Sequence, residues 1–124
     1  MIMKKDLCFS ETLNMSKELW KLHEDEWTPM EPQYAKDFIL YMIEEIGEVI
    51  AITKKKSVAD MMEQGPTREH LIEELADVLM YYNDILNRFG ITAEQLAEVY
   101  NKKHISNLNR DYKKNYQKLF DTNA

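Results

Sequence analysis

Helical hydrophobic periodicity dominates the chain, broken by short polar stretches. A first helix is expected from an N-cap at Ser10 through ETLNMSKELWKLHEDEW. Leu13, Trp20 and Trp27 recur at heptad spacing, with Met15, Leu19 and Leu22 filling the stripe. Pro29 and Pro32 punctuate a linker, TPMEP. A second helix is expected from about Gln33 to Lys54, with Ile39, Ile43, Ile46 and Ile50 as its apolar line. KKKSVADMMEQGP has room for a short helix, closed by Gly65 and Pro66. A third helix is expected from a Thr67 cap to Gly90, along Leu71, Leu75, Val78, Tyr82, Ile85 and Phe89. A fourth runs from Thr92 to about Asn107, opened by a Thr92/Gln95 capping box and an Ile91/Leu96 staple. The tail NRDYKKNYQKLFDTNA is polar, and residues 1–9 and 113–124 are candidate flexible ends. The pattern predicts an all-α protein, a four-to-five-helix bundle in a single domain over 1–124.

Composition supports this class. The chain has 124 residues, suited to one core, and only 3 Gly and 3 Pro, little turn material for a β fold. The formal charge is −6, and only Lys54, Lys55 and Lys56 cluster, so electrostatic nucleic-acid binding is disfavoured. An acidic protein also repels a polyphosphate unless cations intervene. Cys8 is the single cysteine, which excludes an internal disulfide and fits a reducing compartment. MIMKKDLCFS lacks the apolar region of a signal peptide, and no run approaches a membrane span. The expected home is the cytoplasm, with no membrane partner.

The acids inside the apolar stretches are harder to explain. YMIEEIGEVI (41–50) and LIEELADVLM (71–80) both look built for burial, yet both carry carboxylates. On a helical wheel with Ile39 at zero, Glu45 falls near ~240°, between Phe38 at ~260° and Ile52 at ~220°. Glu48 lies at the margin near ~180° and Glu44 toward the polar side near ~140°. With Leu71 at zero, Glu74 falls near ~300° and Asp77 near ~240°, on either side of Tyr81 at ~280°. Each helix therefore sets two carboxylates, three residues apart, beside its apolar arc.

An unpartnered buried carboxylate costs several kcal/mol, and no basic residue obviously shares either arc. The solutions are solvent exposure, a raised pKa or a bound cation. Hard divalent ions take oxygen ligands, and Mg²⁺ combines a few carboxylates with water and substrate phosphate. Gly47 interrupts the first motif at a helix-interior cost of about 1 kcal/mol, which a close contact there would explain. Spacing alone leaves a solvated acidic face and a metal site both open.

EEIGE at 44–48 followed by EELAD at 73–77 resembles the signature of the MazG-like nucleotide pyrophosphohydrolases, within the all-α NTP pyrophosphatase superfamily. Their pattern is ExxE, a variable gap, then ExxD with an aromatic residue four positions on. Here these are Glu45, Glu48, Glu74, Asp77 and Tyr81. A Lys, Asn and Arg element at Lys103, Asn107 and Arg110 is similar to a downstream family element. The resemblance spans roughly 35–112; the first helix and the tail lie outside it. It implies hydrolysis of nucleoside triphosphates to monophosphate and pyrophosphate, with Mg²⁺ (Mn²⁺ as a substitute) bound by Glu45, Glu48, Glu74 and Asp77. Glu44 and Glu48 are then the candidate general bases. Lys103 and Arg110 would hold outer phosphates, Asn107 phosphate or sugar, and Tyr81 sugar or base. It also implies a homodimer or homotetramer.

Rival readings are a narrow dUTPase or dCTP pyrophosphatase type, and a non-enzymatic helical interaction protein. A di-iron carboxylate bundle needs Glu-x-x-His pairs, but Trp20, Thr67 and Asn101 stand three residues before the histidines. An EF-hand loop is absent. Trp20 and Trp27 are expected in the core, and His23, His70 and His104 carry no assigned role.

Overall fold

The computed structural model describes residues 3–110; the tail beyond, including the expected flexible end at 113–124, lies outside them. The described residues form five α-helices and a 3₁₀ turn, with no strand among them. The all-α expectation holds. None of these helices is long and apolar enough to cross a membrane.

Helix α1 spans Phe9–Leu22 and starts earlier than expected, with Cys8 rather than Ser10 at the N-cap. The Cys8 N–H donates to Glu11 Oε1 at 3.0 Å, the acidic half of a capping box. Glu11 also pairs with Lys4, and these donors pull its carboxyl down to about 2. The helix stops at Leu22 rather than Trp27, because HEDE offers no apolar residue to continue the stripe. The chain turns back instead. Trp20 Nε1 donates to the Thr28 carbonyl at 2.9 Å, and the His23 ring stacks on Trp27 at 4.6 Å.

A 3₁₀ turn at Pro32–Tyr34 leads into α2, Ala35–Lys55. The ambiguous stretch does hold a short helix, α3, Val58–Met62, where Ser57 Oγ accepts from the Asp60 N–H at 3.1 Å. Helix α4, Pro66–Arg88, begins with proline at its first turn, where no N–H is needed. Thr67 therefore sits inside α4 and is not its cap. Gly90 ends it at φ +64°, a left-handed conformation that glycine adopts freely. The Gly90 and Ile91 N–H groups close back onto Asn87 and Leu86 carbonyls at 3.0 and 2.9 Å. Helix α5 is Ala93–Leu108.

The chain divides into two compact units, Met1–Thr92 and Ala93–Ala124. Within the first, α4 is the hub, packing against α2, α1 and α3. Its buried apolar residues are few: Leu13, Ala35, Ile52 and Leu86. Alongside them the C-terminal half of α4 buries Asn83, Asp84, Asn87 and Arg88. Thr12 Oγ1 donates to Asn83 Oδ1 at 3.0 Å, and Asn87 Nδ2 donates to the Leu13 carbonyl at 3.0 Å. Hydrogen bonds thus join α1 to α4.

The predicted apolar lines are corrected accordingly. Ile43, Ile46 and Ile50 on α2 are 55%, 39% and 47% exposed, and Leu75, Tyr82 and Phe89 on α4 are exposed too. Met15, Leu19 and Leu22 on α1 are likewise exposed. The α2–α4 contact uses a different face, one that carries polar and aromatic residues.

Candidate metal centre

Helices α2 and α4 run antiparallel along that face, since Phe38 meets Arg88 at one end and Glu45 meets Glu74 and Asp77 toward the other. On α2 the seam residues are Phe38, Tyr41 and Glu45, and on α4 Glu74, Asp77, Tyr81, Asp84 and Arg88. Both sets step by three and four residues, the spacing that keeps one stripe of a helix on its neighbour.

At the acidic end, one carboxylate oxygen from each of Glu45, Glu74 and Asp77 lies within 4.8 Å of the other two. All three are half-buried. Glu45 is held above the ordinary carboxylate value of 4.5, first by the Glu74 carboxyl beside it, then by burial and by the charges of Glu74, Asp77 and Glu48. Its environment is the reverse of that at Glu11, where donors surround the carboxyl. Glu74 Oε2 is buried and has no hydrogen-bond partner among the described residues. His70 Nδ1 stands 3.8 Å from Oε1, too far for a hydrogen bond.

A buried carboxylate oxygen with no donor, beside two more carboxylates, has the chemistry that a hard cation would satisfy. The donor set is all oxygen, which fits Mg²⁺ or Mn²⁺ and not a soft metal. The residues present therefore fit the divalent ion that the paired acid motifs imply.

Three of the four expected metal ligands come together. Glu48 is exposed and outside the close set, although its charge is felt at Glu45. Glu44 is exposed on α2. Tyr81 is half-buried beside the cluster: burial raises its phenol pKa first, and the Glu45 and Asp77 charges raise it further. Lys103 and Asn107 are exposed on α5, and Arg110 is exposed just beyond its end, all in the second unit. At Gly47 an added Cβ would meet nothing within 4 Å, so no close contact among the described residues explains that glycine.

The sequence reasoning missed Phe38, Tyr41, Asp84 and Arg88. The Tyr41 and Tyr81 rings lie 6.0 Å apart, and Phe38 lies 5.4 Å from Tyr41 and 6.4 Å from Tyr81. The Arg88 guanidinium caps the Phe38 ring at 3.6 Å. The signal was present in the continuation of the Glu74, Asp77, Tyr81 spacing to Asp84 and Arg88.

Comparison with known proteins finds one family. The family model of the MazG nucleotide pyrophosphohydrolase domain matches residues 33–109, which takes in the whole α2–α4 seam. No curated protein and no solved structure matches the chain.

Proposed function

That match spans well over half of the chain, so the chain belongs to the MazG nucleotide pyrophosphohydrolase domain family, and we propose that it is a Mg²⁺-dependent nucleoside triphosphate pyrophosphohydrolase. The reaction takes an NTP or dNTP and water to the monophosphate and pyrophosphate. The observation that carries this reading is the convergence of Glu45, Glu74 and Asp77 with an orphaned, buried Glu74 oxygen. Removal of unwanted nucleotides is the role that suits such a reaction, and the single cysteine suits a reducing compartment, the cytoplasm.

Glu45, Glu74 and Asp77 would hold the metal, with Glu48 as a fourth ligand. When bound, the ion would neutralise phosphate charge and acidify a coordinated water. The chain's own groups do the rest. Glu44, or Glu48 where it is not fully used as a ligand, is the exposed carboxylate to accept the water's proton. Tyr81 offers a ring beside the acids for sugar or base. Lys103 and Arg110 are proposed to bind phosphate, Arg110 bidentately, with Asn107 on phosphate or sugar.

The exposed line Ile43, Ile46 and Ile50 supports self-association, since a contiguous apolar strip is costly in water. We propose a homodimer or homotetramer, to be read as a solution mass at a multiple of 14.8 kDa that Ile46→Glu lowers.

Product analysis tests the reaction. The protein is incubated with Mg²⁺ and each canonical NTP and dNTP, beside Glu45→Gln. Monophosphate plus pyrophosphate, lost in the variant, is expected. Diphosphate plus phosphate would mean that a different bond is cut. No turnover of any nucleotide, with no stabilisation by Mg²⁺, would favour a helical interaction protein.

A further inference from the structure

One buried cation in this fold sits at the far end of the candidate site and touches none of its acids. Arg88 is 2% exposed, deeper than any other polar residue described. Its Nε donates to Asp84 Oδ1 at 2.5 Å and its Nη1 to the Pro29 carbonyl at 2.7 Å and Thr28 Oγ1 at 3.2 Å. The plane of the guanidinium is left to Phe38, whose ring it covers at 3.6 Å. An ion pair needs only charge; this arrangement also fixes a ring. Asp84 and the linker at 28–29 hold the guanidinium by hydrogen bonds, so Phe38 packs against an anchored group.

Phe38 in turn touches Tyr41 edge-on and Tyr81 at a tilt. Tyr41 is 43% exposed and Tyr81 half-buried, so the trio presents ring surface outward. Tyr41 lies one helical turn before Glu45, and Tyr81 one turn after Asp77. An aromatic patch therefore borders the carboxylates on both helices. Aromatic faces stack nucleobases of any sequence, and a patch beside a phosphate-handling centre lies where a base or sugar would come to rest.

We propose that Arg88 is a positioning residue that acts through Phe38 to set the Tyr41 and Tyr81 rings, and that Tyr41 joins Tyr81 in stacking the nucleobase. The inference rests on the reading of the carboxylate cluster as a nucleotide-hydrolysing centre. Its specific content is a division of labour along one seam. The acids act on the triphosphate, which all nucleotides share. The aromatic patch contacts the base and has no part in cleavage.

The test compares nucleotides with ribose 5-triphosphate, which has the same anhydride and no base. Three variants are used. Tyr41→Leu removes the exposed ring. Phe38→Leu removes the coupling ring and leaves the Arg88–Asp84 pair intact. Arg88→Lys keeps the charge beside Asp84 and loses the guanidinium over the Phe38 ring. Each is expected to lower kcat/KM for dATP and dCTP roughly tenfold, mainly through KM. Ribose 5-triphosphate turnover should stay within about twofold of the parent, and Phe38→Leu with Arg88→Lys should cost little more than either alone. Equal losses on both substrates would overturn the proposal and leave Arg88 a purely structural residue. No loss on either would overturn it as well.

A separate readout covers the case in which the parent protein cleaves none of these compounds, so that the hydrolase reading itself fails. Ring resonances of Tyr41 and Tyr81 in the tyrosine-labelled protein should shift in Phe38→Leu and Arg88→Lys. Unshifted Tyr41 and Tyr81 rings would overturn the positioning of the patch by Arg88, whatever the activity.

Discussion

The two ends of α4 bury acids under opposite conditions. Toward its C-terminus, Asp84 faces Arg88 one turn away, and the guanidinium finds further acceptors at Pro29 and Thr28. Toward its N-terminus, Glu74 and Asp77 face a third acid, Glu45, and a Glu74 oxygen is buried without a donor. One helix, one neighbour and one stripe of residues thus produce a neutralised acid and an uncompensated acid cluster. Where the chain supplies its own cation, the carboxylate ties the fold together. Where it supplies none, the carboxylates are left with the uncompensated charge that the proposed metal would neutralise. Burial of charge is tolerated in either case only with a counter-charge.

The largest expected effect lies at the acidic end. Glu74→Gln should lower kcat/KM for nucleotide hydrolysis by about 10³-fold, roughly 4 kcal/mol of transition-state stabilisation. Its metal-free melting temperature should be equal to or above that of the parent, because a repelling charge is gone. A fall in melting temperature beside retained activity would place Glu74 in the structural class with Asp84.

The opposite end should break in the opposite way. Arg88→Met leaves Asp84 buried and unpaired, and should cost about 3 kcal/mol of stability in denaturant titration. Restoring neutrality with Asp84→Asn in the same chain should recover part of that loss. If Arg88→Met unfolds no more easily than the parent, the paired end is not what holds α4 to the linker.

Metal should shift only the acidic end. At a hundred times its Kd, Mg²⁺ should stabilise the parent by about 2.7 kcal/mol, and Glu74→Gln by far less. Thermal melting with Mg²⁺ and then with chelator reads this directly.

A smaller effect follows from pH. Glu45 holds its proton more tightly in the folded chain than at the ordinary value of 4.5, because the Glu74 carboxyl, burial and nearby acids all oppose its charge. The metal-free fold is therefore favoured by this group below that value, and loses the contribution as pH rises through the raised range. Metal binding runs the other way: its apparent affinity should increase over the same interval as the proton leaves. Melting curves taken across that interval, with and without Mg²⁺, should diverge as pH rises.

Much of this was legible in the sequence, and the gaps have physical causes. The helices announce themselves through periodicity, and Glu45, Glu74 and Asp77 through their place beside apolar arcs. Helix ends were less legible. Cys8 caps α1 through its backbone, and Trp20 folds the chain back by a hydrogen bond to Thr28, neither of which a hydrophobicity pattern encodes. The core was misjudged for a related reason. Asn83, Asp84, Asn87 and Arg88 are polar, so a pattern of apolar residues assigns them to solvent. Their partners Thr12, Leu13 and Thr28 are far away in sequence, and only the fold brings them together. The isoleucine line of α2 was read as core because it is apolar, and its exposure is the main support for self-association.

Direct measurement of metal binding tests the central claim. Free and bound Mn²⁺ would be measured by electron paramagnetic resonance in titrations of the parent and of Glu74→Gln, followed by competition with Mg²⁺. The account predicts Mn²⁺ bound by the parent, displaced by Mg²⁺, and weakened at least tenfold by the substitution. Equal binding in the two proteins, or none in the parent, would contradict it, and the three acids would then be a repulsive cluster with no metal to explain it.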